Sequence, residues 1–117
     1  MGISTHILDT SRGRPAANVP VSLARLQEQD WVVLAESRTD ADGRCRQLLP
    51  EVVALEAGVY RVRFDTAAYY ESQHVAGLYP FVEIAFEVRE AGEQAGAEHY
   101  HIPLLLTANG YTTYRGS

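Results

Sequence analysis

The sequence of 117 residues predicts an all-β protein, a sandwich of two sheets with one short helix. Three observations favour this fold class: short segments of alternating apolar and polar residues recur along the chain, turn-forming residues separate them, and a single segment resembles a helix. No repeat, low-complexity stretch or long linker interrupts the sequence. We therefore expect a single domain over residues 1–117.

The first half of the chain predicts strands joined by turns. Apolar or β-branched residues alternate around residues 3–7 and again around residues 19–23, and residues 31–35 are a third β-prone run. Residues 39–43 follow, and their Asp-Gly pair favours a tight turn into residues 44–49. The pattern thus predicts a hairpin between the third run and the segment that begins at Arg44.

The second half contains the clearest alternation. Residues 59–64 predict a half-buried strand, with Tyr60, Val62 and Phe64 in the core and Arg61 and Arg63 in water. Residues 81–88 repeat this pattern, with Val82, Ile84, Phe86 and Val88 inward and with Glu83 and Glu87 outward, where these acids could pair with the arginines. Between these strands, Asp65 is expected to cap a short helix over residues 66–73. In all, seven or eight strands are expected.

The net charge of −5 argues against binding to nucleic acid or to an anionic membrane, because neither finds a basic patch here. All ten basic residues are arginine, which excludes Schiff-base catalysis, a P-loop and any ligand site that depends on a lysine. The single cysteine, Cys45, is compatible with a reducing compartment. Because no leader or membrane-spanning stretch is recognisable, the expected location is the cytoplasm.

Three polar residues stand out by their position on the predicted strands. In residues 99–106 the alternation sends His99 and His101 away from the core, and the same parity in residues 3–7 sends His6 outward. If these strands share a sheet with the one that starts at Arg44, imidazoles and a guanidinium form one patch. Such a patch could activate water and stabilise an oxyanion.

Six segments resemble the 5-hydroxyisourate hydrolases, a family with a transthyretin-like fold. They are THILD (5–9), GRPA (13–16), TDADGR (39–44), YPF (79–81), HYHIPLLL (99–106) and YRGS (114–117). The terminal tetrapeptide is the most specific, because it separates these hydrolases from transthyretin proper, a hormone carrier. The resemblance extends from end to end, without departures at the functional positions.

The resemblance implies an active site made of His6, Arg44, His101 and Ser117. Tyr114, Arg115 and Gly116 would shape it and, with His6, Arg44 and Ser117, bind the substrate. The sequence leaves open whether His6 or His101 is the general base, and His99 is expected to be a supporting or surface residue.

The same resemblance implies two four-stranded antiparallel sheets and a homotetramer, a dimer of dimers with active sites at the dimer–dimer interface. The implied reaction is hydrolytic opening of the six-membered ring of 5-hydroxyisourate, in urate degradation, to 2-oxo-4-hydroxy-4-carboxy-5-ureidoimidazoline. It requires no cofactor, and no metal is expected because a third ligand is not evident.

Simpler interpretations remain for several residues. Taken alone, the histidines on residues 99–101 are more often solvent-facing, and Arg44 could be a solvated residue after a turn. Asp9 and Asp42 adjoin turns and are interpreted as structural, and His74 as exposed.

The main alternative function is a transthyretin-like carrier that holds a small ligand without reacting. The polar set of His6, Arg44 and His101 weakens that alternative.

Overall fold

Residues 2–89 and 99–116 are described by a computed structural model, in which two β-sheets enclose an apolar core. In this part of the chain the strands are β1 (Gly2–Asp9), β2 (Arg14–Pro15), β3 (Pro20–Gln27), β4 (Asp30–Arg38), β5 (Arg44–Cys45), β6 (Gly58–Phe64), β7 (Val82–Val88), β8 (His99–Thr107) and β9 (Gly110–Thr113). The helix α1 is Thr66–Ser72. These strands and this helix confirm the predicted all-β sandwich with a short helix. None of the described helical segments has the length and hydrophobicity to cross a membrane.

The first sheet is organised around β1. One edge of β1 runs parallel to β8, which continues to β9, and the other edge pairs with the two short strands β2 and β5. This sheet departs from the four antiparallel strands that the family resemblance implies. It has five strands, because two two-residue strands share one edge of β1, and its β1–β8 pair is parallel. β1 is consequently flanked by chain segments from the middle and the end of the sequence.

The second sheet has four strands in the order β4-β3-β6-β7, and its alternation is as predicted. Tyr60, Val62 and Phe64 are fully buried. On the outer face, Glu83 accepts ion pairs from Arg61 at 3.4 Å and from Arg63 at 3.0 Å. The predicted cross-strand pairing is therefore confirmed for Glu83, whereas Glu87 pairs with Arg89, two residues along the chain. Such solvent-facing pairs add little stability.

The predicted hairpin between residues 31–35 and 44–49 is wrong. β4 pairs with β3, and only Arg44 and Cys45 form a strand after the turn, which pairs with β1 in the opposite sheet. The turn is present, since the Gly43 N–H donates to the carbonyl of Asp40 at 2.9 Å. Its direction differs because Ile7 N–H donates to the Gly43 carbonyl at 2.8 Å, which draws the chain onto β1. The turn thus crosses between the sheets.

Helix α1 is fastened to the first sheet through two buried tyrosines. The Asp65 side chain accepts a hydrogen bond from Ala68 N–H at 3.1 Å, so the predicted N-cap is confirmed. Tyr69 donates its hydroxyl proton to buried Asp9 at 2.6 Å, and Tyr70 donates to the carbonyl of Thr107. Burial, and then the hydrogen bond to Asp9, raise the pKa of Tyr69. Both rings therefore anchor the ends of β1 and β8.

Replacing Tyr69 with phenylalanine should lower the free energy of unfolding by about 1.5–3 kcal/mol, because a buried carboxylate loses its hydroxyl donor. Tyr70→Phe is the matched control: its neutral carbonyl acceptor predicts a smaller loss of about 0.5–1.5 kcal/mol. Urea unfolding followed by circular dichroism measures both values. Equal losses for the two variants would contradict the importance given to the Asp9 carboxylate.

Candidate active site

Three neighbouring strands of the first sheet carry the polar residues singled out in the sequence. His6 on β1 lies opposite Arg44 on β5, and Ser4 on β1 lies opposite His101 on β8. His99 is two positions before His101, on the same side of β8. Because side chains alternate along a strand, all these groups project from the outer face of the sheet. The sequence-predicted convergence of His6, Arg44 and His101 on one sheet is therefore present.

A cleft of about 260 Å³ lies on this face. It is lined only by residues with polar side chains, namely Ser4, Thr5, Arg44, Arg46, His99 and His101. Two guanidinium groups and two imidazoles at one cleft provide hydrogen-bond donors for carbonyl oxygens and for an anion. The cleft therefore suits a small, polar ligand that carries several oxygen atoms.

The turn before β5 sets the position of Arg44. Asp40 Oδ1 accepts hydrogen bonds from the N–H groups of Asp42 at 2.9 Å and Arg44 at 3.0 Å, and the bond from Arg44 is the main reason why the pKa of Asp40 is lowered. Gly43 adopts φ of +76°, and a Cβ there would lie 2.5 Å from the Ile7 carbonyl oxygen. Only glycine allows the turn to lie this close to β1.

His6 is held by the same turn. Its Nε2 lies 2.9 Å from the main-chain carbonyl of Asp42. Because a carbonyl only accepts, Nε2 must be the donor, so the neutral ring carries its proton there and leaves Nδ1 as an acceptor. Asp42 therefore acts here through its main-chain carbonyl, whereas the side chain that accepts backbone hydrogen bonds in the turn is that of Asp40.

His101 is the imidazole whose surroundings most clearly favour a neutral ring. Burial lowers its pKa below the usual 6.5, and the charges of Arg44, His6 and His99 lower it further. At neutral pH the ring is therefore unprotonated at one nitrogen and can accept a proton. A lowered histidine pKa in a polar cleft is typical of a general base.

Ser4 is a site residue that the sequence reasoning missed. Its Oγ lies 2.8 Å from His101 Nδ1 and 2.7 Å from His99 Nε2, and the residue is only 6% exposed. This contact also connects His99 to the site, as a residue that supports His101. The available signal was parity, since Ser4 shares the outward face of β1 with His6.

The end of the chain lies against His101. The Gly116 N–H donates to the carbonyl of His101 at 2.8 Å, and a Cβ at position 116 would clash with Cδ2 of the imidazole. Glycine therefore lets the tail cover the ring. The guanidinium of Arg115 lies 4.3 Å from the centre of the Tyr100 ring, and Tyr114 is 55% exposed. Ser117 lies outside the described residues.

The lining of this cleft includes none of His6, Tyr114, Arg115 and Gly116, nor does it include Asp9 or His74. Asp9 accepts hydrogen bonds from Ser11 and Arg12 N–H, as a turn residue does, and His74 is exposed. Among residues 2–89 and 99–116, no three histidine, cysteine, aspartate or glutamate side chains are grouped closely enough to hold a metal ion. The chemistry of the cleft is thus that of imidazole, hydroxyl and guanidinium groups.

Residues 3–116 match the HIUase/Transthyretin family. A sequence relative is a probable 5-hydroxyisourate hydrolase of Schizosaccharomyces pombe, which is 42% identical over 118 aligned residues and is matched over 98% of this chain and 90% of its own length. The similarity thus covers both chains nearly completely, including the segments that supply the cleft.

Solved structures of two kinds resemble the fold. The 5-hydroxyisourate hydrolase of Klebsiella pneumoniae superposes with a TM-score of 0.82 at 34% identity, with both chains fully covered. Sea bream transthyretin in complex with thyroxine superposes with a TM-score of 0.88 at 32% identity, over 99% of this chain and 95% of that one. The transthyretin-like fold is confirmed, but its shape is common to an enzyme and to a thyroxine-binding protein.

Proposed function

Because this chain belongs to the HIUase/Transthyretin family, we propose that it is the hydrolase rather than the carrier, and that it opens the six-membered ring of 5-hydroxyisourate. The product is 2-oxo-4-hydroxy-4-carboxy-5-ureidoimidazoline, and the domain of residues 1–117 carries the activity. The observation that supports this most is that His101, partly buried and within hydrogen-bond distance of Ser4, lies in one cleft with Arg44.

The reaction begins when water attacks the ring carbonyl carbon. His101 removes a proton from this water, and Nε2 is the nitrogen that remains for this task, because Nδ1 contacts Ser4. A tetrahedral oxyanion forms and then collapses, breaking the carbon–nitrogen bond. The carbonyl carbon becomes the carboxyl group, and the released nitrogen takes the proton.

Arg44 and His6 act on the substrate and on the developing charge. The Arg44 guanidinium presents a rigid set of N–H donors, which suits both carbonyl oxygens and the oxyanion. His6 is oriented by the Asp42 carbonyl and offers Nδ1 as an acceptor for a substrate N–H or for water. The two groups lie opposite each other on adjacent strands, so their relative position is set by the sheet.

The tail completes the site in this proposal. Ser117, with Tyr114, Arg115 and Gly116, holds the purine-like ring against the cleft. The supporting observation is that the Gly116 N–H donates to the His101 carbonyl, and that a Cβ at position 116 would clash with the imidazole.

We further propose a homotetramer, a dimer of dimers in the cytoplasm, in which a neighbouring chain closes the cleft. The cleft lies on the outer face of a sheet, and a two-fold interface there would exclude water and repeat the polar groups.

The carrier function is the second candidate, because the fold also matches a transthyretin in complex with thyroxine. Binding sites for largely apolar ligands have apolar walls with few polar groups. The walls here carry two arginines, two histidines and a serine, and the chain has no lysine. The chemistry of the cleft and the sequence relatives therefore both favour catalysis.

Mixing the protein with freshly generated 5-hydroxyisourate should accelerate the decay of its ultraviolet absorbance above the spontaneous rate. Heat-denatured protein is the control for non-specific effects. Saturable binding of the substrate without faster decay would support the carrier and contradict the hydrolase.

A further inference from the structure

The Ser4 hydroxyl lies between two imidazoles of the first sheet. This placement results from the parallel register of β1 and β8, in which Ser4 lies opposite His101, with His99 two positions earlier on the same face. The distances of 2.7 Å to His99 Nε2 and 2.8 Å to His101 Nδ1 are those of hydrogen bonds. The two rings are therefore linked through one oxygen atom.

A hydroxyl has one proton to donate, which restricts the protonation of the two neutral rings. When Ser4 donates to His99 Nε2, His101 must donate from Nδ1, and its Nε2 is then free to accept a proton. When Ser4 donates to His101 Nδ1 instead, His99 donates from Nε2, and His101 carries its proton on Nε2. The tautomer of one ring thus determines that of the other.

We propose that Ser4 is a positioning residue that presents His101 as a base and relays its positive charge to His99. This inference rests on the proposed hydrolysis. As His101 Nε2 takes a proton from water, its Nδ1 proton moves to Ser4 Oγ, and the hydroxyl proton moves to His99 Nε2. His101 is then neutral with a proton on Nε2, and the charge resides on His99.

The relay returns to its starting state in the second half of the reaction. His101 Nε2 donates its proton to the released nitrogen, Ser4 returns a proton to Nδ1, and His99 returns one to Ser4. The water proton has then reached the leaving group, and all three side chains are restored. No oxidant or other reactant is required.

The surroundings favour the charge at His99 over His101. The charges of Arg44 and His6 act on His101, which is also the more buried ring. His99 is exposed to solvent. Because burial and nearby positive charge both disfavour an imidazolium, moving the charge from His101 to the less buried His99 lowers its free energy.

Ser4→Thr and Ser4→Val form a matched pair for a test, since their side chains have nearly the same shape but only threonine keeps the hydroxyl. Ser4→Thr should retain kcat within about threefold, whereas Ser4→Val should lose about tenfold or more, a part of the ~10²–10⁴-fold that a general base supplies. KM should change little in both. His99→Ala should lower kcat as much as Ser4→Val. Equal kcat for the Thr and Val variants, or an unchanged kcat in His99→Ala, would overturn the relay.

Nitrogen-15 NMR of the histidine rings provides a readout that does not depend on turnover. In the wild type and in Ser4→Thr, the ring nitrogens of His99 and His101 should titrate as a coupled pair. In Ser4→Val they should titrate independently, with His101 present as both neutral tautomers. Independent titration in the wild type would overturn the relay. A coupled titration in a protein that does not accelerate substrate decay would place the failure in the proposed function.

Discussion

Replacing His101 with asparagine is expected to lower kcat/KM by about 10²–10⁴-fold, the usual contribution of a general base. Asparagine keeps a polar side chain but offers no nitrogen that accepts a proton, so water can no longer be deprotonated at this position. The decay of 5-hydroxyisourate absorbance measures the loss. His74→Asn is the matched control, because this exposed histidine lies outside the cleft and should leave the rate unchanged.

The dependence of the rate on pH tests the same assignment. The wild-type kcat/KM should fall as acid protonates His101, and because the pKa of His101 is lowered, the fall should occur below the usual value of 6.5. Activity is thus present above this pKa and lost below it. A His101→Asn protein that is folded by circular dichroism and still shows wild-type activity with the same acid limb would refute the role of this base.

Replacing Arg44 with alanine is expected to lower kcat by about 10²–10³-fold, as the loss of one oxyanion donor usually does. Arg44→Lys should recover only part of the rate, because a lysine provides a point charge but not the planar set of donors. Arg89→Ala is the matched control, since this exposed arginine pairs only with Glu87 among the described residues.

Arg44→Ala should also shift the acid limb of the pH profile to higher pH. The positive charge of Arg44 is one cause of the lowered pKa of His101, so its removal favours the protonated imidazole and raises that pKa. Arg44→Lys should leave the limb nearly in place. A large loss of rate without a shift of the limb would indicate that Arg44 contacts substrate too far from His101 to influence its protonation.

Much of this arrangement was predictable from the alternation of side chains. The parity of residues 3–7 and 99–106 places His6 and His101 outward, and the structure has both on one sheet. The sequence does not predict in the same way which strands pair with each other. The Asp-Gly pair before Arg44 signals a reversal, but the hydrogen bond from Ile7 to Gly43, which selects β1 over β4, joins residues distant in sequence and leaves no local pattern.

Ser4 illustrates the same limit for the site. A serine in a strand has no distinctive spacing or composition, and its importance depends on a register that places it opposite His101. Its short hydrogen bonds arise only when two segments more than ninety positions apart are paired. Histidine and arginine, by contrast, can be recognised in the sequence as candidate site residues from their side-chain chemistry alone.

The pairing of β1 with both β5 and β8 ties catalysis to the integrity of the whole polypeptide. β1 is formed from the first residues of the chain, whereas β8 starts only at His99. A nascent or truncated chain that ends before His99 has neither the proposed base, His101, nor the proposed relay residue, His99. It also has no partner strand for β1 on that edge. Turnover of substrate should therefore report on complete folding, because the proposed catalytic groups come together only after β1 and β8 have paired.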